Sequence, residues 1–133
     1  MRSVKTFIYI CLKKINYSQC KNLSNAIVKS VERIKKPVLI VASSDMTHFE
    51  SHDVATMKDK KALAKIESLD ALGLHETVRK NQISMCGVNP VTVMLLCAEK
   101  LGAKRAELIK YMTSGETNGD KNHVVGYAGV IVT

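Results

Sequence analysis

Apolar residues recur at three- and four-residue steps through Cys20, Leu23, Ile27, Val28, Val31 and Ile34, while Lys29, Glu32 and Lys36 fall mostly off that stripe. This spacing predicts a helix from Ser18, a residue suited to capping, to about Lys35. Pro37 ends it, because the residue before a proline is driven out of the helical region. The pattern then changes. Val38 to Val41 are continuously apolar, which predicts a strand over 38–43 buried on both faces. Further helices are expected at Met57–Glu67, with Ala62, Leu63 and Ile66 inward, and from an Asp70 cap to about Lys80. A third should run from Pro90, suited to a first turn, to Leu101, with Gly102 closing it. Its stripe of Val91, Met94, Leu95, Cys97, Ala98 and Leu101 predicts deep burial.

Strands at Ala106–Thr113 and Val124–Ile131, joined by the polar loop 114–120, complete the pattern. Helices between strands predict an α/β sandwich. The first residues are less regular: Val4–Cys11 reads as a strand or a frayed terminus, and Lys13–Tyr17 as a turn. No internal repeat or low-complexity linker divides the chain, so its 133 residues are expected to form a single domain.

No apolar run approaches the ~20 residues that span a bilayer. Thr6–Leu12 follows Arg2 and Lys5 in the manner of a leader, but Lys13-Lys14 comes directly after it, without a small-residue cleavage site. Cys11, Cys20, Cys86 and Cys97 form no C-x-x-C pair and no disulfide framework, as expected of a cytoplasmic protein. The sequons at Asn16 and Asn22 carry no weight without secretion. The formal charge of +8 raises nucleic acid as a partner. Lysines and arginines are nevertheless spread from Arg2 to Lys121 among acids, with no aromatic platform between them, which is the pattern of solvated helix faces.

The chemistry gathers at the carboxyl end of the expected strand, where ligands collect in open α/β sheets. Asp45 and His48 follow Ser43 and Ser44 there, and Cys86-Gly87 could complete a cluster. His48 is a candidate metal ligand, and Asp45 a carboxylate that could fix its tautomer or cap the loop through backbone amides. A glycine at 87 lets the backbone approach a ligand closely. Cys97, in mid-stripe, and Cys20 read as core thiols. Of the remaining histidines, His52 could rim the pocket, His75 is expected to be exposed, and His123 lies at a strand boundary.

Ser43-Ser-Asp-Met-Thr-His48, Cys86-Gly87 with Pro90, Tyr111-Met-Thr-Ser-Gly115 and Val125-Gly-Tyr127 occur in the order seen in the Memo family, also termed AmmeMemoRadiSam system protein B. The chain resembles that family's C-terminal half over roughly residues 20–133; residues 1–18 match poorly. The resemblance implies a three-layer α/β/α sandwich of phosphorylase/hydrolase-like type, similar to class III extradiol dioxygenases. It also implies a metal pocket in which Cys86 joins His48, with Asp45, Ser44, Gly87 and Tyr127 around them. The longer members carry a further pair of pocket histidines in their first half. Where members often place a basic residue after Cys-Gly, this chain has Val88.

The expected function is thus a Memo-like cytoplasmic protein with a partial iron or copper pocket, taking Fe(II) or Cu(I) in a redox- or cofactor-linked role. One alternative is a non-haem iron oxygenase of the extradiol type. Another is a partner-binding module with a vestigial pocket, and phosphotyrosine peptides are the ligands that animal members suggest. A sheet lacking half its strands also has an open edge. The expected partners are therefore a second copy of the chain, paired through that edge, or a separately encoded N-terminal half.

Overall fold

The computed structural model describes residues 8–133; the N-terminal part of the expected Val4–Cys11 strand lies outside them, and residues 8–11 form no regular element. The elements are α1 (Tyr17–Ile34), β1 (His48–Glu50), α2 (His52–Glu67), α3 (Ala71–Lys80), α4 (Val88–Lys100), β2 (Ala106–Thr113), α5 (Gly115–Asn118) and β3 (Val124–Val132).

Helix α1 starts just before the expected Ser18. Asn16 is the cap, in a reciprocal box with Gln19: each side chain accepts from the other's backbone N–H at 2.9 Å. Lys35 closes the helix in the left-handed region, at φ 51°. Cys20, Ser24 and Val28, four residues apart on one face, are the buried residues of α1. They pack toward α4, where the Cys97 thiol donates to the Ser24 carbonyl at 3.8 Å.

Helix α4 sits between α1 and α3. Leu95 and Cys97 of α4 and Leu74 of α3 are fully buried; burying a leucine of this kind contributes about 1.5–3 kcal/mol. Cys20 and Cys97 are core thiols as expected, and burial pushes both of their pKa values up. Asp70 caps α3 by accepting from Gly73 N–H at 2.7 Å. His75, expected to be exposed, is instead buried beneath Tyr17, with ring centroids 5.9 Å apart. Leu74 and Val78 flank it on the inward face of α3, and the surrounding charges hid that face in the sequence.

The sheet is antiparallel in the order β1-β3-β2. Register runs from Ala106 opposite Val132 to Thr113 opposite Gly126, with an irregularity between Leu108 and Lys110. Helix α2 packs across β2 and β3. The α/β class is as expected. A three-layer sandwich also needs helices on the second face, and among the described residues that face carries exposed side chains, including Ile109, Tyr127 and Ile131.

Residues 38–43 differ most from expectation. They form no ladder. Ile40 and Ala42 pack against the core, while Leu39 and Val41 are 85% and 76% exposed. Burial on both faces requires a layer on each side, and the described residues supply only one.

Candidate metal centre

Two chain segments meet at the end of the 38–48 stretch. The first is the loop 43–48 that feeds β1; the second is the turn Ser84–Gly87 ahead of α4. Gly87 joins them. Its N–H donates to Ser44 Oγ at 2.9 Å, and a Cβ on it would come 2.4 Å from Ser44 Cβ and 2.5 Å from the Ser43 carbonyl oxygen. Glycine is needed here because the two backbones touch, rather than because a ligand approaches. Ser44 Oγ in turn donates to the Asp45 carbonyl at 2.6 Å.

This seam brings Asp45, His48 and Cys86 together, with one donor atom from each lying within 4.8 Å of the others. His48 is held twice by Ser84: its backbone N–H donates to Ser84 Oγ at 2.7 Å, and its ring Nδ1 lies 2.8 Å from the Ser84 carbonyl oxygen. A carbonyl can only accept, so Nδ1 carries the proton and Nε2 is left with its lone pair. That Nε2 lies 3.5 Å from Asp45 Oδ2. The Asp45 backbone N–H points at Cys86 Sγ from 3.2 Å. The cluster opens outward: the Asp45 side chain is 47% exposed and that of His48 21%.

One anchor that sequence reasoning missed holds this loop in place. Asp59 of α2 is fully buried. Its carboxylate accepts from the Thr47 backbone N–H at 2.9 Å and from the Tyr111 hydroxyl at 2.8 Å. A Cβ on Gly126 would lie 2.1 Å from Asp59 Oδ2, so β3 also closes on this carboxylate. Burial and the bond to Asp59 push the Tyr111 pKa up, and the phenol remains a donor. Asp59 stands among Lys58, Lys60 and Lys61, a run that looks like a solvated face. Only the inward spacing of Ala55, Asp59, Ala62 and Ile66 could have exposed it.

Helix α2 starts five residues before the expected Met57, which puts His52 in its first turn, where Nδ1 pairs with Thr113 Oγ1 at 2.8 Å. Tyr127 lies opposite Met112 in the β2–β3 ladder and is 44% exposed; it has no hydrogen bond with Asp45, His48 or Cys86. Gly115 approaches the Asp120 carbonyl and Val124 within its own hairpin loop.

A carboxylate, an imidazole and a thiolate suit a first-row transition metal. Metal–ligand bonds of about 2.0–2.3 Å at tetrahedral angles place donors on one ion roughly 3.3–3.8 Å apart, so donors within 4.8 Å of one another reach one ion with about 1 Å of closure or less. The donor set fits an ion, and its outward opening leaves coordination positions free.

Comparison with known proteins gives the family. The profile of the family described as Memo-like protein matches residues 3–131. The chain belongs to the Memo family. A MEMO1 family protein of Methanopyrus kandleri is 37% identical over 125 residues, covering 94% of this chain and 44% of the relative. One from Ignicoccus hospitalis is 43% identical over 121 residues, covering 91% and 42%. One from Pyrobaculum aerophilum is 40% identical over 114 residues, covering 86% and 41%. This Memo-family chain thus spans less than half the length of these curated relatives.

Proposed function

We propose that this chain supplies one half of a Memo-type metal pocket, binding Fe(II) or Cu(I) through His48 Nε2, Cys86 Sγ and Asp45 in a redox- or cofactor-linked role. One observation carries the reading: three donors of different softness converge within 4.8 Å around an imidazole whose tautomer is fixed with the free nitrogen toward the other two. Ser84 orients His48, and Asp45, 3.5 Å from Nε2, is a further donor to the same ion. The ion would supply Lewis acidity or electron transfer, while the chain's own residues hold His48 in register and keep the cluster open on one side. Additional imidazoles from the remainder of the family's length would complete the set. No helix among the described residues is long and apolar enough to cross a membrane, and four free cysteines suit the reducing cytoplasm.

The direct test is anaerobic loading with Fe(II) or Cu(I), followed by desalting and metal analysis, beside a Cys86→Ala control. Near-stoichiometric metal that is lost in the control supports the pocket. Equal metal in both proteins, or none in either, contradicts it.

The open side of the cluster also admits an oxygenase reading, in which a catechol-like substrate meets iron at this face. Metal-dependent oxygen uptake with a catechol would support it. Absence of uptake from iron-loaded protein, with the remainder of the fold restored, would end it.

A further inference from the structure

A second feature borders the donor loops, with Ser44 and Met85 among its lining residues. A groove of about 580 Å³ runs between residues 38–42 and the upper half of β3. Met46, Leu63, Ile66, Met85, Val91 and Met94 are among the residues that line it. Both of its walls are backbone edges. In β3 the odd positions bond to β2: Arg105 and Thr133 exchange two bonds of 2.8 Å, and Ser114 N–H donates to the Val125 carbonyl at 2.9 Å. Gly126 instead turns its N–H and C=O toward the other side, bonding Thr47 and Met46 at 2.9 Å each. By the same alternation Ala128, Val130 and Val132 direct their main-chain groups into the groove. No backbone hydrogen bond joins them to residues 38–44. The opposite wall, 38–42, likewise bonds no described residue through its backbone, and Leu39 and Val41 stand exposed above it.

We propose that this groove seats an extended apolar strand from the part of the Memo fold that this chain does not span. The family assignment carries the idea, and the metal reading does not enter it. The relatives are matched over only 41–44% of their length, so more polypeptide lies outside the matched region than within it. Two facing rows of backbone donors and acceptors over an apolar floor are satisfied by a strand that pairs on both sides. A helix satisfies its own backbone and would leave both rows unmet. A second copy of this chain fits poorly, because its two free edges already face each other across its own groove.

The test uses the whole chain and, as a separate polypeptide, the portion of the Ignicoccus hospitalis relative outside the matched region, both free of metal. A one-to-one complex should form. Hydrogen exchange at the amides of Ala128, Val130, Val132 and residues 39–42 should slow by roughly tenfold or more. Val130→Pro removes a groove-facing N–H, and Leu39→Lys charges a side chain already in solvent; each should weaken the complex, and Leu39→Lys should leave the isolated chain's fold intact. The proposal is overturned if no complex forms, or if a complex forms without protection on both walls. It is equally overturned if both walls are already protected in the isolated chain, as a homodimer or the chain's own N-terminal residues would make them. Because no metal is present, these outcomes are independent of the pocket's metal affinity.

Discussion

The helical side of the molecule and its sheet side are built to different degrees of completion. On the first, α1 and α3 close on α4: Leu74, Leu95, Cys20 and Cys97 are fully buried and the starts of α1 and α3 are capped by Asn16 and Asp70. On the second, residues 38–43 lack a ladder, β3 keeps a free edge, and Ile109, Tyr127 and Ile131 face outward. The Asp45, His48 and Cys86 cluster stands where the two meet. One of its arms, Cys86, precedes the first turn of α4; the other, Asp45–His48, ends the unladdered stretch and is pinned by Asp59. A chain that spans less than half the length of its relatives thus keeps a packed core and brings three candidate donors together, with the buried Asp59 carboxylate holding the loop.

The contrast can be broken most forcefully at that carboxylate. Asp59→Ala should leave the Thr47 N–H and the Tyr111 hydroxyl without a partner, costing about 3 kcal/mol or more, seen as a lower midpoint in urea unfolding. It should also abolish metal retention by freeing the His48 loop. A loss of stability with full metal retention would show that the loop is held by something else.

Next in size is a pair of leucines. Leu95→Ala should cost about 2–5 kcal/mol, whereas Leu39→Ala, at 85% exposure, should stay within about 0.5 kcal/mol. Comparable losses at both positions would mean that the sheet side is covered in solution.

The pH effect should be smaller. Burial, with Arg79 nearby, holds the His75 pKa below its ordinary value, so the unfolded chain binds the proton more readily. Stability should therefore fall as pH drops below about 6.5, until the folded-state pKa is passed. A His75→Leu variant should flatten that slope. Asp70 acts at still lower pH: its carboxyl is held down by the Gly73 N–H and by Lys65, so its contribution is present above the unfolded pKa and lost as pH falls through the folded one. An unchanged slope in His75→Leu would return His75 to the surface.

Helix α3, β2, β3 and the end of α4 were legible in the sequence because their signals are local: the Asp70 cap, apolar segments either side of the polar loop 114–120, and Gly102 after the last turn. The site's members were legible through the motifs around Asp45, His48 and Cys86, although only the folded geometry shows Asp45 standing within donor range of the other two. What stayed hidden depends on neighbours distant in sequence. Val38–Val41 has the composition of a doubly covered strand, yet its burial requires layers that the described residues do not provide. Asp59 and His75 sit among lysines, arginine and glutamate, and only packing against β3 and Tyr17 decides that they turn inward. The start of α2 was misplaced for a local reason: Ser51 caps the helix five residues before the apolar spacing becomes visible.

The central claim, that Asp45, His48 and Cys86 bind one ion together, is tested most directly by X-ray absorption on the anaerobically loaded chain. The account predicts one sulfur scatterer at about 2.3 Å with nitrogen and oxygen neighbours at about 2.0–2.2 Å, the sulfur vanishing in Cys86→Ala and one light neighbour in His48→Ala. A metal environment of oxygen and nitrogen alone, unchanged by either substitution, would contradict it.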